Sequence, residues 1–397
     1  LCQQYSNGLY KFDAMKVLWL ASWYPNRTDP SNGDFIERHA YATAAFTDQL
    51  FLIAVVKDTT MEKGSTEIIK TQAGRLCVYT AYYGSSRGIA EKLLSFRKYF
   101  SLQKEIYRQI EEEHGRPDIV HVQVAMNAGL FALHLQRFKK IPYVVTEHWA
   151  GYSRNARPNI YDKGSYFLWL TKRILKAAAV FLPVSDELGR TVTQNLAPVK
   201  YKVVPNVVDT GLFFYRPVLL PVFRFIHLSY MHYQKNPEGM LQACKILKDR
   251  GVRFELQMTG SKNEKLELQA ADLGLLNEYV FFSNAVPYAE VAHRMQQASA
   301  LLLFSRFENL PCVMLEALCC GLPVVSSRVG GIAEVINESN GLLVDSENIA
   351  QLAAAMEKMI HTYASFNRQQ ISAMARQRFN YDAVGKQYLE LYQQVLQ

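Results

Sequence analysis

The chain predicts an α/β fold of two successive doubly wound domains, each built on a parallel sheet. Short apolar runs alternate with longer amphipathic stretches over nearly its whole length, the pattern of parallel strands joined by crossover helices. Its 397 residues are enough for two domains of roughly 150 to 200 residues each. A Pro-rich break near residues 205 to 220 falls between two such cycles.

The first cycle places buried strands at residues 17–20, 50–56, 119–122, 143–146, 180–183 and 201–204. Helices are expected near 34–46, 90–113, 126–137, 164–178 and 185–195. Pro205-Asn206 then gives a turn signal, and Pro217 and Pro221 mark a loop. The second cycle opens with a strand at 223–228 and continues with strands at 254–258, 279–282, 300–304, 323–326 and 341–344. Its helices fall near 236–249, 263–272, 287–297, 312–320 and 347–360. This sets a first domain at 15–205 and a second at 206–380. The last helix, 381–397, has no strand after it and is expected to pack back on the first domain. Residues 1–14 lack periodicity, and Met15 resembles a natural start, so they are expected to be an extension that is either disordered or a product of gene annotation.

The hydrophobic fraction of 49% and charged fraction of 20% are those of a soluble globular protein. No run approaches the ~20 apolar residues of a spanning helix, and the N-terminus lacks a secretory pattern. The expected location is cytoplasmic, at most peripheral on the inner face of the membrane. Six scattered cysteines, with no CxxC or His-rich partner, indicate reduced thiols and neither a zinc site nor a disulfide framework.

The formal charge of +8 is uneven. Residues 1–205 carry 27 Lys+Arg against 18 Asp+Glu, and the rest carry 17 against 18. The basic half points to an anionic partner or to a simple solubilising excess. Within it, the stretch 87–108 combines Arg87, Lys92, Arg97, Lys98, Lys104 and Arg108 with Leu93, Leu94, Phe96, Tyr99 and Phe100. Such a helix can lie on an anionic membrane or serve as an ordinary crossover. No nucleic-acid module accompanies the charge.

Chemistry-bearing residues gather where strands end, the place where open α/β sheets bind ligands. Glu308 sits on the loop after an apolar strand, and Glu316 lies in the helix that follows Pro311. A carboxylate can accept sugar hydroxyls in pairs, although a Glu pair is also common on solvated helix faces. Gly33 opens the helix after the first strand, where free N–H groups favour an anion. Lys235 precedes a helix with Pro237 near its first turn, placed to neutralise a diphosphate or simply solvated. His148 follows a strand, placed to hydrogen-bond a sugar hydroxyl or to be a core histidine satisfied by the neighbouring Glu147, and Gly330-Gly331 before Glu334 is a turn that binds phosphate or serves the backbone alone. The absence of Asp-x-Asp argues against a metal-bridged diphosphate, and no Gly-x-Ser-x-Gly elbow or HExxH helix indicates hydrolysis.

These residues together resemble glycosyltransferase family 4, the retaining nucleotide-sugar transferases with a GT-B fold of two Rossmann-like domains. The strongest part is Ser305 to Val335, SRFENLPCVMLEALCCGLPVVSSRVGGIAEV, similar to the family's paired glutamates, its small-Gly-x-Pro-Val strand and its Gly-Gly-x-x-Glu. Val203-Val-Pro-Asn-Val-Val-Asp209 with Phe213 is similar to its interdomain segment. The resemblance implies that Glu316 holds the ribose and Glu308 the donor sugar, helped by the backbone amides of Asn309 and Leu310 but not of Pro311, which has none. It implies that Lys235 carries the diphosphate with Gly33 opposite, and that His148 touches the transferred sugar.

Two departures stand out. Tyr230, after Ser229, replaces the arginine expected five residues before the lysine, and the phosphate-side Gly-x-Gly becomes Gly260-Ser-Lys262. Lys262, His232 or Arg328 are candidates to compensate. The implied activity is retaining, metal-independent transfer of a hexose-type sugar, with no cofactor, from a UDP or GDP sugar to a glycan or lipid-linked acceptor, in surface polysaccharide assembly. The alternatives are a non-catalytic nucleotide-sugar-binding subunit, favoured by the lost arginine, or a GT-B epimerase or phosphorylase.

Overall fold

The computed structural model describes residues 15–84 and 89–397. The expected extension 1–14 and Arg87 lie outside the described residues, as do the side chains of Lys92, Leu93 and Leu94.

The chain starts with β1 (Lys16–Ala21), α1 (Asp34–Ala44) and β2 (Gln49–Asp58), followed by a hairpin of β3 (Thr66–Ala73) and β4 (Leu76–Gly84). α2 (Ile89–His114), β5 (Ile119–Gln123), α3 (Gly129–His134), β6 (Tyr143–Glu147), α4 (Ser165–Ala177), β7 (Val180–Pro183) and α5 (Asp186–Asn195) complete the first cycle. The strand order is β3-β4-β2-β1-β5-β6-β7, parallel except for the antiparallel edge pair β3–β4.

The second cycle comprises β8 (Arg224–Ser229), α6 (Pro237–Asp249), β9 (Glu255–Gly260), α7 (Glu264–Asp272), β10 (Val280–Asn284), α8 (Tyr288–Gln296) and β11 (Ala300–Leu303). It ends with α9 (Cys312–Cys319), β12 (Val324–Ser327), β13 (Gly341–Val344), α10 (Ile349–Thr362), α11 (Arg368–Phe379) and α12 (Tyr381–Leu396). Its sheet runs β10-β9-β8-β11-β12-β13, all parallel. Without the β3 edge, both sheets have the doubly wound order in which the chain reverses direction beside the first strand.

Both faces of each sheet are covered, which is why the strands are apolar runs and not alternating ones. Leu18 and Leu20 enter one core, while Val17, Trp19 and Ala21 enter the core on the other face. In the second sheet Leu301 and Leu303 face one core, and Ala300 and Leu302 the other.

The sequence expectation missed the β3–β4 hairpin, because β3 (TEIIKTQA) is an exposed edge with no buried apolar run. It also missed α11, whose buried positions include Arg368 and Ser372 as well as Ile371 and Phe379. The expected strand at 201–204 is not formed. Tyr201 makes a single bridge to Phe181, and beyond it the segment runs beside β7 only through the Lys202 and Val204 N–H groups, which donate to the Phe181 and Pro183 carbonyls at 3.0 and 3.1 Å.

α12 lies against α1. A Cβ at Gly385 would come within 2.2 Å of the Ala42 carbonyl, so glycine permits the close approach. Val384, Tyr388 and Tyr392 join the core that holds Trp19. No helix among the described residues is long and apolar enough to cross a membrane.

Candidate functional site

The chain reversals lie between β1 and β5 in the first sheet and between β8 and β11 in the second. Gly33 follows β1, Lys235 follows β8 and Glu308 follows β11. Gly33 caps α1 in the left-handed region, at φ 69°. A Cβ there would lie 2.8 Å from the Trp23 backbone, so both conformation and space require glycine. Lys235 ends a short 3-10 turn before α6, which is capped by the buried Asn236 side chain accepting from the Gly239 N–H.

The Lys235 ammonium donates directly to Glu308 Oε1. Glu308 also accepts from Ser305 Oγ at 2.8 Å and Gln234 Nε2 at 3.2 Å, and its side chain is 6% exposed. The strand-end carboxylate is thus oriented by three donors and compensated by one cation.

The loop behind Glu308 is fastened to the first domain and to the segment that joins the two domains. Asn309 accepts from Ser185 Oγ at 2.7 Å and donates to the His148 carbonyl at 3.2 Å. Leu310 accepts through its carbonyl from Asn206 Nδ2 at 2.6 Å. Glu334 accepts the backbone N–H groups of Asp186 and Glu187 at 2.9 and 2.8 Å, capping α5 from across the cleft. The Gly330-Gly331 turn serves the same closure. Cβ atoms there would lie 2.2 Å from the Glu308 carbonyl and 2.4 Å from Ser185 Cβ.

His148 is half-buried against Phe35, with ring centroids 4.6 Å apart. Its Nδ1 is 3.0 Å from Asn206 Oδ1 and its Nε2 is 3.3 Å from the Gln123 carboxamide, so both nitrogens are engaged. Burial, with His39 nearby, holds its pKa well below the usual histidine range. Burial also brings His39 down to about 3 and lowers His121 strongly. The three imidazoles are neutral at physiological pH. Beside them, Glu147 is the competing partner expected for His148. It instead accepts the N–H groups of Ala125, His148 and Trp149 and the Tyr152 hydroxyl.

Glu316 lies in α9 with its side chain 6% exposed, accepting from the Tyr288 hydroxyl at 2.7 Å. Arg38 of α1 reaches across the cleft to within 3.9 Å of it. Burial raises the Glu316 pKa, against the opposing pull of Arg38 and the Tyr288 hydrogen bond. The Arg38 guanidinium stands 4.5 Å over the Tyr288 ring and donates to Asp34 at 2.8 Å. Its buried Nε has no partner among the described residues. Sequence reasoning missed Arg38 and Tyr288. The available signal was the position of Arg38, in the first turns of the helix that Gly33 opens.

Gly260 ends β9 beside β8, where a Cβ would lie 1.6 Å from the Ser229 carbonyl. Lys262 follows, exposed and paired with Glu264 at 3.2 Å. It lines a cavity of ≈ 260 Å³ with Met231, Asn263, Phe282 and Asn284. Arg328 is exposed and lines a second cavity of ≈ 250 Å³, shared with Ser153, Asn155, Arg306 and Glu308. Tyr230 is 52% exposed and stacks on His232. Lys235, Glu308, Asn309, Leu310 and His148 are therefore one connected cluster. Gly33, Glu316, Gly260 and Lys262 are not hydrogen-bonded to it. Among the described residues no group of three or more His, Cys, Asp or Glu could hold a metal ion.

Residues 222–378 match the family model described as glycosyl transferases group 1, and residues 76–212 match glycosyltransferase family 4. The Bacillus subtilis protein TuaC, named as a teichuronic acid biosynthesis glycosyltransferase, is 23% identical over 87% of this chain and 90% of its own. A D-inositol 3-phosphate glycosyltransferase of Paenarthrobacter aurescens is 24% identical over 81% of this chain and 83% of its own. Among solved structures, sucrose-phosphate synthase of Thermosynechococcus elongatus superposes with a TM-score of 0.76 at 17% identity, covering 96% of this chain and 99% of that one. Anabaena HepE, in complex with UDP, gives 0.72 at 17% identity, covering 96% and 100%.

Proposed function

The chain belongs to glycosyltransferase family 4, with two Rossmann-like domains in the GT-B arrangement, and we propose that it transfers a hexose-type sugar from a nucleoside diphosphate sugar with retention and without a metal. The acceptor is a glycan or a lipid-linked saccharide in polysaccharide assembly, in keeping with the relative named for teichuronic acid biosynthesis.

The observation that carries this reading is the Lys235–Glu308 pair at a strand-end reversal, on a loop fastened to the opposite domain. An arriving diphosphate competes with Glu308 for the Lys235 ammonium, and the carboxylate so released accepts sugar hydroxyls. Lys235 and the N–H groups at the start of α1 then support the departing diphosphate. Their positive charge is the reason no divalent ion is invoked. The backbone N–H groups of Asn309 and Leu310 border the sugar. Glu316 holds the ribose, and the cavity beside Lys262 receives the base. Neither carboxylate is a nucleophile. The acceptor attacks from the face the diphosphate leaves, which retains configuration.

The test is a thermal-shift panel of UDP, GDP and ADP sugars. A bound donor at ~100 times its dissociation constant adds about 2.7 kcal/mol. The reading fails if no nucleotide sugar raises the melting temperature.

A second reading, a nucleotide-sugar-binding subunit without turnover, is favoured by the exposed Tyr230 where the family arginine is expected. Donor binding with neither transfer nor donor hydrolysis, across cell-extract acceptors, would support it. Peripheral membrane contact is a further part of the proposal. α4 exposes the stacked pair Tyr166 and Trp169, with Arg173 over the tryptophan, an aromatic and cationic combination suited to an anionic lipid surface. Sedimentation with vesicles containing anionic lipid, but not with neutral ones, is the expected result.

A further inference from the structure

Asn206 determines where the hydrogens lie around it. Its Nδ2 is 2.6 Å from the Leu310 carbonyl, which can only accept, so its Oδ1 faces the first domain and can only accept as well. Both nitrogens that meet this oxygen must therefore carry hydrogen: His148 Nδ1 at 3.0 Å and His39 Nε2 at 3.3 Å. With His39 protonated on Nε2, its Nδ1 is left to accept from the Tyr388 hydroxyl, which lies at 3.4 Å.

The far end is fixed in the same way. The Tyr392 hydroxyl of α12 accepts the indole N–H of Trp19 at 3.1 Å, and its own hydrogen is left for His121 Nδ1 at 2.6 Å. A neutral His121 then carries its hydrogen on Nε2, toward Thr146 Oγ1 at 2.6 Å and the Gln123 carboxamide at 3.2 Å. The other end of that carboxamide is 3.3 Å from His148 Nε2. His121 offers Gln123 a hydrogen and His148 offers it a lone pair. In the structure the Gln123 NH₂ is set toward His121 and its oxygen toward His148; both rings are satisfied in the reverse orientation, which has the same heavy-atom shape and turns the oxygen to His121 and the NH₂ to His148.

We propose that Tyr392 is a positioning residue for the donor loop. One directed chain of hydrogen bonds runs from Trp19 through Tyr392, His121, Gln123, His148 and Asn206 to the carbonyl of Leu310. It holds His148 as the Nδ1–H tautomer and sets the orientation of the Glu308–Pro311 loop. The role rests on the reading of that loop as the donor site. Two consequences follow from the direction of the bonds. The His148 ring has no nitrogen left for proton transfer, so it acts by orienting Asn206. And the C-terminal helix, through one phenol, is coupled to the sugar-facing loop of the other domain.

Tyr392→Phe removes the hydrogen that holds His121 in its tautomer. Gln123 is then free to turn over, and His148 must either move its hydrogen to Nε2 and release Asn206 or become doubly protonated.

¹⁵N NMR of histidine-labelled full-length protein reads this directly, with signals assigned by single His→Gln replacements. In the wild type, His148 should show protonated Nδ1 and bare Nε2, and His121 the reverse. Tyr392→Phe should spread His148 between forms. It should also raise the KM for UDP-glucose or GDP-mannose, whichever binds, by about threefold to tenfold, the worth of one hydrogen bond, with a smaller change in kcat. Gln123→Glu accepts at both ends and should drive His148 to the doubly protonated form, with the chain otherwise intact. A merely structural tyrosine would lower the melting temperature and leave the His148 signals in place. A wild-type His148 protonated on Nε2 alone, or unchanged signals in Tyr392→Phe, overturns the chain of hydrogen bonds. The tautomer measurement needs no ligand. A wild type that binds no member of the UDP, GDP and ADP sugar panel therefore overturns the donor reading, and the positioning role with it, as a separate outcome.

Discussion

Lys235 and Glu308 are hydrogen-bonded to each other, so the cation and the carboxylate proposed to act on the two ends of a sugar diphosphate neutralise one another. A nucleoside diphosphate must take Lys235 from Glu308, while a complete donor also gives Glu308 hydroxyls to accept. Glu308→Ala should therefore have opposite effects on two ligands. It should tighten, or leave unchanged, the binding of the bare nucleoside diphosphate. It should weaken the nucleotide sugar by about tenfold or more, the scale of hydrogen bonds to a charged group. Isothermal titration with both ligands checks this, and parallel weakening of both would count against the competition.

Glu316 gives a contrasting case. The Tyr288 hydroxyl and Arg38 hold it, and it has no hydrogen bond to the Glu308 loop. Glu316→Gln should weaken the nucleotide alone and the nucleotide sugar by the same factor, roughly tenfold for one charged contact to a ribose. Arg38 keeps Asp34 as its partner in this variant, so the fold should persist. Competition binding with both ligands measures the factors, and loss confined to the sugar-bearing ligand would reverse the division of roles between the two glutamates.

The legibility of the chain followed burial. Strands covered on both faces announced themselves as apolar runs, and the loop residues at their ends were recognisable because a turn, a helix start and a charged side chain coincide there, as at Lys235 and Glu308. β3 escaped because an exposed edge has no hydrophobic signature. Arg38 escaped for a different reason. Its value lies in reaching Tyr288 and Glu316, which are about 250 and 280 residues further along, and no local pattern encodes that meeting. Tyr392 and His121, 271 positions apart, are the same kind of case. A phenol in the last helix looks like ordinary core until its hydroxyl is seen to have partners.

Glu334 supplies two hydrogen bonds from one domain to the start of α5 in the other, while Gly331 keeps the surfaces close enough for them to form. Glu334→Ala leaves the Asp186 and Glu187 N–H groups to water and removes a favourable charge at a helix N-terminus, costing about 1 kcal/mol of closure. Gly331→Ala goes further, since its Cβ would meet Ser185 at 2.4 Å. Small-angle scattering should show a larger radius of gyration for both variants, greater for Gly331→Ala, and weaker donor binding in each. Unchanged scattering in Gly331→Ala would mean that the domains do not depend on this contact for closure.

The histidines predict an acid limit to stability. His39, His121 and His227 are wholly buried, and burial lowers each pKa, to about 3 for His39 and about 4 for His227. Each is neutral when folded and takes up a proton on unfolding once the pH falls below its ordinary value of about 6.5. The unfolded state then binds more protons. Each histidine therefore contributes stability that is intact above pH ~6.5 and is lost as the pH falls toward the folded value, at about 1.4 kcal/mol per pH unit. The raised pKa values of Glu147 and Glu316 act in the opposite sense, because those carboxyls gain protons more readily in the folded state. A difference between variants removes that background. His227 bonds to the Leu302 carbonyl and to Ser229 Oγ, away from the His121–His148 chain. His227→Gln should be less stable than the wild type at pH 7.5 but lose stability more slowly on acidification, by about 1.4 kcal/mol per pH unit between pH 6 and 4.5. Urea denaturation at several pH values measures both slopes, and parallel slopes would show that His227 is already protonated in the folded protein.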